Sequence, residues 1–300
     1  MLHILSASQF NQKELYEILN LAHEMEIILN KGGSEMARGK ILATLFYEPS
    51  TRTRLSFESA MIRLGGKIIS ETDVNFSSIT KGEVLQDTIR IVSGYSDIVA
   101  IRSKTVGDAQ LASQYSSVPI LNGGDGAGEH PTQALLDLYT IFKQFKLGKE
   151  TLEVSFVGDL KYGRTVHSLV TILRNFEGIK INFIAPTEIA IPEKYVQQGD
   201  KIFTDLSDEI LKKSDVIYDT RIQKERFEEF SDYERLKEAF VFDPEKVNKM
   251  KDRAILMHPL PRVNEILQTV DVLPQAKYFE QAQNGVPTRM ALIAKVLDFF

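Results

Sequence analysis

What most constrains this chain is a repeated alternation of short apolar runs with helical patterns. Ile41-Leu42-Ala43-Thr44-Leu45-Phe46-Tyr47 reads as a buried strand, 67–72 as a second, Asp97-Ile98-Val99-Ala100-Ile101-Arg102 as a third and Pro119-Ile120-Leu121 as a short fourth. Helical patterns near 52–64 and 83–94 lie between them, and Gly65-Gly66 is a natural stop for the first. Strands separated by helices ask for βαβ units and a parallel sheet.

The alternation then starts again. Leu152-Glu153-Val154-Ser155-Phe156-Val157-Gly158 reads as strand and 164–176 as helix. Ile181-Asn182-Phe183-Ile184-Ala185, Asp215-Val216-Ile217-Tyr218 and Ala254-Ile255-Leu256-Met257 read as further strands. Between the two sets lies a long helical pattern over 131–146, with Ala134, Leu135, Leu138, Ile141 and Phe142 at helical spacing. The stretch 286–300 reads as a closing helix. The expected fold class is α/β, with two doubly wound parallel-sheet domains joined by a bridging helix. One domain is expected over 1–131 plus the closing helix 286–300, the other over 132–285. The 300 residues agree with this, at roughly 150 per domain.

Composition removes several classes of function. At 43% hydrophobic and 26% charged, the chain is an ordinary soluble globular one. A net charge of −5 argues against a protein that coats nucleic acid. No stretch approaches the roughly 18 apolar residues of a membrane span, and the first residues have neither signal-peptide nor transit-peptide character. Cysteine is absent, which removes disulfides, thiolate metal sites and a cysteine nucleophile. A cytoplasmic location is the expectation.

Five segments carry candidate chemistry. In Glu48-Pro49-Ser50-Thr51-Arg52-Thr53-Arg54 a strand ends, Pro49 breaks it, and hydroxyls and arginines open a helix. Helix N-termini offer unpaired N–H groups to anions. The Arg52 fork matches phosphate oxygens, and ligands of α/β folds gather beyond the carboxyl ends of strands. The same residues also read as a capped helix with solvated arginines. His130-Pro131-Thr132-Gln133 sets a histidine and a glutamine on one side of a helical turn, where both can bond a carbonyl or an amide; a lone histidine there reads equally as a structural residue. Gly158-Asp159-Leu160-Lys161-Tyr162-Gly163-Arg164 sits like a dinucleotide fingerprint but lacks its G-x-G-x-x-G spacing, which makes a nicotinamide reading poor; Arg164 could instead hold a carboxylate. Asp219-Thr220-Arg221-Ile222-Gln223 ends another strand. In His258-Pro259-Leu260-Pro261-Arg262 the prolines remove N–H donors and leave carbonyls suited to an NH2 group, although this segment and the one at 219–223, each taken singly, read more simply as ordinary loops. Lys81-Gly82-Glu83, after Ser77-Ser78-Ile79-Thr80, reads either as a lid or as a polar loop. P-loop, H-E-x-x-H, G-x-S-x-G and calcium-loop patterns are absent, and the five histidines have no metal-ligand spacing.

Taken together, these segments resemble the catalytic chains of the aspartate carbamoyltransferase family, over nearly the whole length. Ser50-Thr51-Arg52-Thr53-Arg54 is similar to the carbamoyl-phosphate signature shared by transcarbamoylases. His130-Pro131-Thr132-Gln133 and His258-Pro259-Leu260-Pro261 are similar to the aspartate versions of motifs that carry cysteine in the ornithine enzymes. The resemblance implies carbamoyl transfer from carbamoyl phosphate to L-aspartate, with 1–131 plus 286–300 binding carbamoyl phosphate and 132–285 binding aspartate. It implies that Ser50, Thr51, Arg52 and Thr53 hold the phosphate, and that Arg52, Thr53, Arg102 and His130 surround the phosphate and carbonyl oxygens. Gln133 and the carbonyls of Pro259, Leu260 and Pro261 would hold the NH2 group. Arg164, Arg221 and Gln223 would hold the aspartate carboxylates. Ser77 and Lys81 would arrive from a neighbouring subunit of a homotrimer with shared active sites, Ser77 toward carbamoyl phosphate and Lys81 toward aspartate. No cofactor and no metal is implied, because the nucleophile is the substrate's own amine. A separate zinc-containing, nucleotide-binding regulatory chain is a possible partner; nucleic acid and membrane are not. Three rivals stand beside this reading: carbamoyl transfer to ornithine, a non-catalytic subunit that keeps the fold, and a nicotinamide dehydrogenase.

Overall fold

The computed structural model describes residues 1–71, 82–126, 128–222 and 240–299. The chain forms two compact units, Met1–Tyr139 with Asn284–Phe300, and Thr140–Gln283.

In the first unit, helix α1 (Gln12–Asn30) precedes strand β1 (Ile41–Phe46), helix α2 (Thr51–Arg63), strand β2 (Lys67–Glu71), helix α3 (Leu85–Ser93), strand β3 (Ile98–Ser103), helix α4 (Asp108–Tyr115) and strand β4 (Ile120–Asp125). The sheet runs β2-β1-β3-β4, and every pairing is parallel. Strands β3 and β4 are buried along their whole length, as expected where helices cover both faces. Strand β4 is longer than Pro119-Ile120-Leu121. Gly123 and Gly124 extend it, and strand propensity does not foresee glycines inside a strand. Residues 3–7 lie along its free edge: the Ile4 N–H donates to the Ile120 carbonyl at 2.9 Å and the Asn122 N–H to the Ile4 carbonyl at 2.8 Å.

Helix α1 opens with a capping box in which Asn11 and Glu14 satisfy each other's backbone N–H groups. It buries Leu15, Ile18, Leu19, Ala22 and Met25, the apolar face of an amphipathic helix.

Helix α5 (Pro131–Gln144) contains the division between the units. The second unit continues with β5 (Leu152–Gly158), α6 (Arg164–Leu173), β6 (Ile179–Ile184), β7 (Lys201–Phe203), α7 (Asp208–Lys213), β8 (Val216–Thr220), α8 (Pro244–Val247), β9 (Ile255–Met257) and α9 (Tyr278–Gln283). Its sheet runs β7-β6-β5-β8-β9, again wholly parallel. At the end of β5, Gly158 pairs with Thr220 at φ +104°, and a Cβ there would stand 2.2 Å from the Thr220 carbonyl oxygen. Only glycine fits.

The closing helix α10 (Gly285–Val296) returns to the first unit and packs on α1 and α2. It begins at the expected place and ends four residues before the chain does.

Candidate active site

In the first unit the candidate residues gather at the carboxyl ends of β1, β3 and β4. Strand β1 runs out at Phe46, and the next N–H, that of Tyr47, donates to the Arg102 carbonyl at 2.8 Å. This ties the turn before α2 to the end of β3. Ser50 is the N-cap of α2 and makes no capping bond from its side chain. Arg52 stands in the first turn, where partial burial lowers its pKa from the usual arginine value, and Thr53 is buried.

Arg102 is the hub of the cluster. It is 8% exposed. Its Nη1 donates to the Gly123 carbonyl at 3.0 Å and lies 3.3 Å from His130 Nε2, while Nη2 lies 3.2 Å from Glu48 Oε2. Arginine only donates, so the His130 Nε2 facing it is an acceptor and the ring proton lies on Nδ1. Gly124 makes this approach possible. At φ +118°, a Cβ on it would stand 2.9 Å from the Arg102 guanidinium.

His130 is buried just ahead of α5, where its carbonyl accepts the Gln133 and Ala134 N–H groups. The preceding residue is pinned from two directions. The Glu129 N–H donates to Asp125 Oδ1 at 2.7 Å, and its carboxylate accepts the Ser6 hydroxyl at 2.7 Å and the Ala7 N–H at 2.6 Å. Gln133 Nε2 donates to Asp137 Oδ1 at 2.9 Å. With one of its two N–H donors so used, Gln133 has its acceptor oxygen to offer a ligand.

Arg289, on α10, takes no part in the sequence motifs. It is buried over the Phe57 ring, 4.8 Å from its centroid, and donates to the Gly285 carbonyl at 3.3 Å. Burial lowers its pKa to about 9, with Asp137 opposing the shift and Arg102 adding to it. The signal for it was an arginine in the apolar pattern Met290-Ala291-Leu292-Ile293.

In the second unit, Arg164 begins α6 and Arg221 follows β8, so they leave from adjacent strands paired through Gly158 and Thr220. The intervening loop is braced internally. Asp159 Oδ1 accepts the Tyr162 N–H at 3.0 Å, and the Ile189 carbonyl accepts the N–H groups of Leu160 and Lys161. His167 Nε2 donates to the Leu160 carbonyl at 2.8 Å and its ring stacks on Tyr195 at 4.2 Å. Burial lowers the His167 pKa, with the Leu160 carbonyl opposing.

Pro259, Leu260 and Pro261 follow β9, the strand beside β8. Asp219, also at the end of β8, is fully buried. Desolvation raises its pKa well above the usual carboxylate value, and the charge of Glu265 adds to this. Ser77, Lys81 and Gln223 lie outside the described residues.

Two doubly wound parallel sheets, with cationic and hydrogen-bonding side chains at their strand ends, define an α/β protein built for anionic ligands. Residues 2–143 match the carbamoyl-phosphate-binding domain of the aspartate/ornithine carbamoyltransferases, and residues 150–296 match their aspartate/ornithine-binding domain. The chain belongs to the aspartate/ornithine carbamoyltransferase family. It is 49% identical to the aspartate carbamoyltransferase catalytic subunit of Methanocaldococcus jannaschii, over 99% of this chain and 98% of that one. A solved structure of the M. jannaschii catalytic subunit superposes with a TM-score of 0.91 at 48% identity, covering 99% of this chain and 98% of that one. Aspartate transcarbamoylase from Trypanosoma cruzi, in complex with carbamoyl phosphate and aspartate, superposes with a TM-score of 0.89 at 39% identity, covering 98% and 96%.

Proposed function

We propose that this chain transfers the carbamoyl group of carbamoyl phosphate to the α-amino group of L-aspartate, giving N-carbamoyl-L-aspartate and phosphate, an early step of pyrimidine synthesis. The observation that carries the reading furthest is the Arg102–His130 pair, 3.3 Å apart at the strand ends beside the α2 N-terminus. Relatives solved with carbamoyl phosphate and aspartate support it.

The amine of aspartate attacks the carbamoyl carbon, a tetrahedral intermediate forms, and the bond from that carbon to the phosphate oxygen breaks. The nucleophile comes with the substrate, so the protein's part is orientation and charge stabilisation. Ser50, Thr51, Arg52 and Thr53 bind the phosphate at the start of α2 and stabilise it as it leaves. Arg102 and His130, with Thr53, face the carbonyl oxygen as it gains charge. Gln133 and the carbonyls at 259–261 accept from the NH2 group. Arg164, Arg221 and Gln223 pair with the carboxylates of aspartate, and the same two arginines would repel the cationic side chain of ornithine.

The active particle is a cytoplasmic homotrimer in which Ser77 and Lys81 serve a neighbour's site. Among the described residues, no helix is long and apolar enough to cross a membrane. The deciding experiment is a carbamoylation assay with aspartate and with ornithine. Product from aspartate alone is expected; product from ornithine, or none from either, overturns the reading. Subunit sharing is tested by mixing Arg52→Ala chains with Lys81→Ala chains. Every mixed trimer regains one interface with both residues native, so activity returns in part. No recovery after demonstrated exchange means each subunit works alone.

A further inference from the structure

His258 opens the loop after β9 and has no part in the chemistry above, yet its side chain is 1% exposed, with Nδ1 accepting a hydrogen bond and Nε2 close to a carboxylate. The Leu260 N–H donates to Nδ1 at 2.8 Å. A backbone N–H has only a proton to give, so Nδ1 accepts and the ring proton lies on Nε2. Nε2 is 2.9 Å from Glu265 Oε1. Glu265 is itself held: its Oε2 accepts the N–H groups of Val263 at 3.1 Å and Asn264 at 3.0 Å. The His258 backbone is held too, with its N–H donating to Gln281 Oε1 at 2.8 Å.

This chain of bonds ends on a backbone that needs it. Leu260 has φ +52°, the left-handed region that a branched side chain rarely enters. Pro259 and Pro261 have no N–H, so Leu260 carries the one donor in the three residues. His258 Nδ1 consumes it. What 259–261 then presents to a ligand is carbonyl oxygen alone.

We propose that His258, oriented by Glu265, is a positioning residue that keeps this loop an acceptor-only surface and thereby selects a donor bearing NH2 over an acyl phosphate that carries a methyl group there. This rests on the function proposed above. A carbonyl aimed at NH2 loses its partner when methyl replaces it, and unpaired acceptors are what make such sites discriminate. In His258→Phe the ring remains but the Leu260 N–H has no acceptor, so the loop reorients to find one. In His258→Asn the side-chain oxygen can take that N–H two residues ahead, as in an Asx turn.

The test compares carbamoyl phosphate as substrate with acetyl phosphate as competitive ligand. For His258→Phe, kcat/KM for carbamoyl phosphate is expected to fall by about tenfold or more, while the inhibition constant of acetyl phosphate stays near that of the parent enzyme. His258→Asn is expected to recover most of the loss. Equal losses toward both phosphates, no loss toward either, or an asparagine variant as poor as the phenylalanine one would overturn the proposal. Should His258→Phe not fold, Glu265→Gln gives the same readout, with a smaller but still selective loss expected. Nitrogen NMR of the His258 ring in the parent enzyme is independent of activity, and a protonated Nδ1 also sinks the idea. A parent enzyme that transfers no carbamoyl group, but shows His258 protonated on Nε2 alone, indicts the functional reading and not the loop.

Discussion

The two turns that follow β1 and β5 share a topology, strand to loop to helix, and differ in what sits at the helix start. At α2, Ser50 makes no capping bond from its side chain, and Arg52 and Thr53 occupy the first turn. At α6, the buried Asp159 takes the Tyr162 N–H, and Gly163 at the cap has no side chain to offer. A helix N-terminus favours negative charge. In the second unit a side chain of the chain's own bonds the turn just ahead of the helix, whereas at α2 no side-chain bond caps the helix start. On the function proposed above, one supersecondary unit would serve as a phosphate site in one half and as a structural turn that launches Arg164 in the other. A dinucleotide-like placement after β5 therefore says little about phosphate binding, because the turn there is braced by the chain's own Asp159.

The sharpest way to break this comparison is Arg52→Ala. If the start of α2 holds the phosphate, carbamoyl transfer falls by more than about 10³; near-normal turnover would refute the phosphate site. Next comes His130→Ala. The loss of one donor to a developing oxyanion is expected to lower kcat by about 10²–10³ with modest change in carbamoyl-phosphate affinity. A fall in affinity with turnover preserved would contradict the role. In the second unit the equivalent change costs stability instead. Asp159→Ala leaves the Tyr162 N–H without its acceptor and is expected to destabilise by about 1–3 kcal/mol, with carbamoyl-phosphate affinity unchanged. A denaturant titration and a binding isotherm separate the two effects.

The smallest expected effect concerns Asp219. Its folded pKa is raised, so the native state binds a proton more tightly than the unfolded chain does. Stability is then greatest below the ordinary carboxylate pKa and declines as pH climbs from there toward the raised value. Asp219→Asn removes the titration while keeping the shape. The variant is expected to gain on the parent in Tm as pH rises from the ordinary carboxylate pKa toward the raised value. Melting temperatures that stay parallel across that range would show that the Asp219 pKa is not raised.

Much of the fold could be read from apolar runs, because a strand buried on both faces admits few polar residues. The runs at 41–47 and 152–158 are of this kind, and both are strands in the structure. Helix α1 escapes a reading built on strands, although Asn11 and Glu14 spell its capping box. Strand β7, three residues long, carries too little pattern to be seen. Candidate site residues were legible where several polar groups stand together, as at 50–54. Glu48, Glu129 and Glu265 were not, since a single carboxylate in a loop looks the same whether it faces solvent or braces a catalytic segment.

By itself, then, the sequence determined the α/β class and the motifs that carry the family's chemistry, because hydrophobic period and local residue order are properties of neighbouring positions. Tertiary structure decided the rest. That Arg102 meets both Glu48 and His130, that residues 6 and 7 hold Glu129, and that His258 takes the N–H of Leu260 depend on where strand ends fall in space. Hydrogen bonds act over about 3 Å and are indifferent to separation along the chain, so only the folded arrangement could reveal which polar groups had found each other.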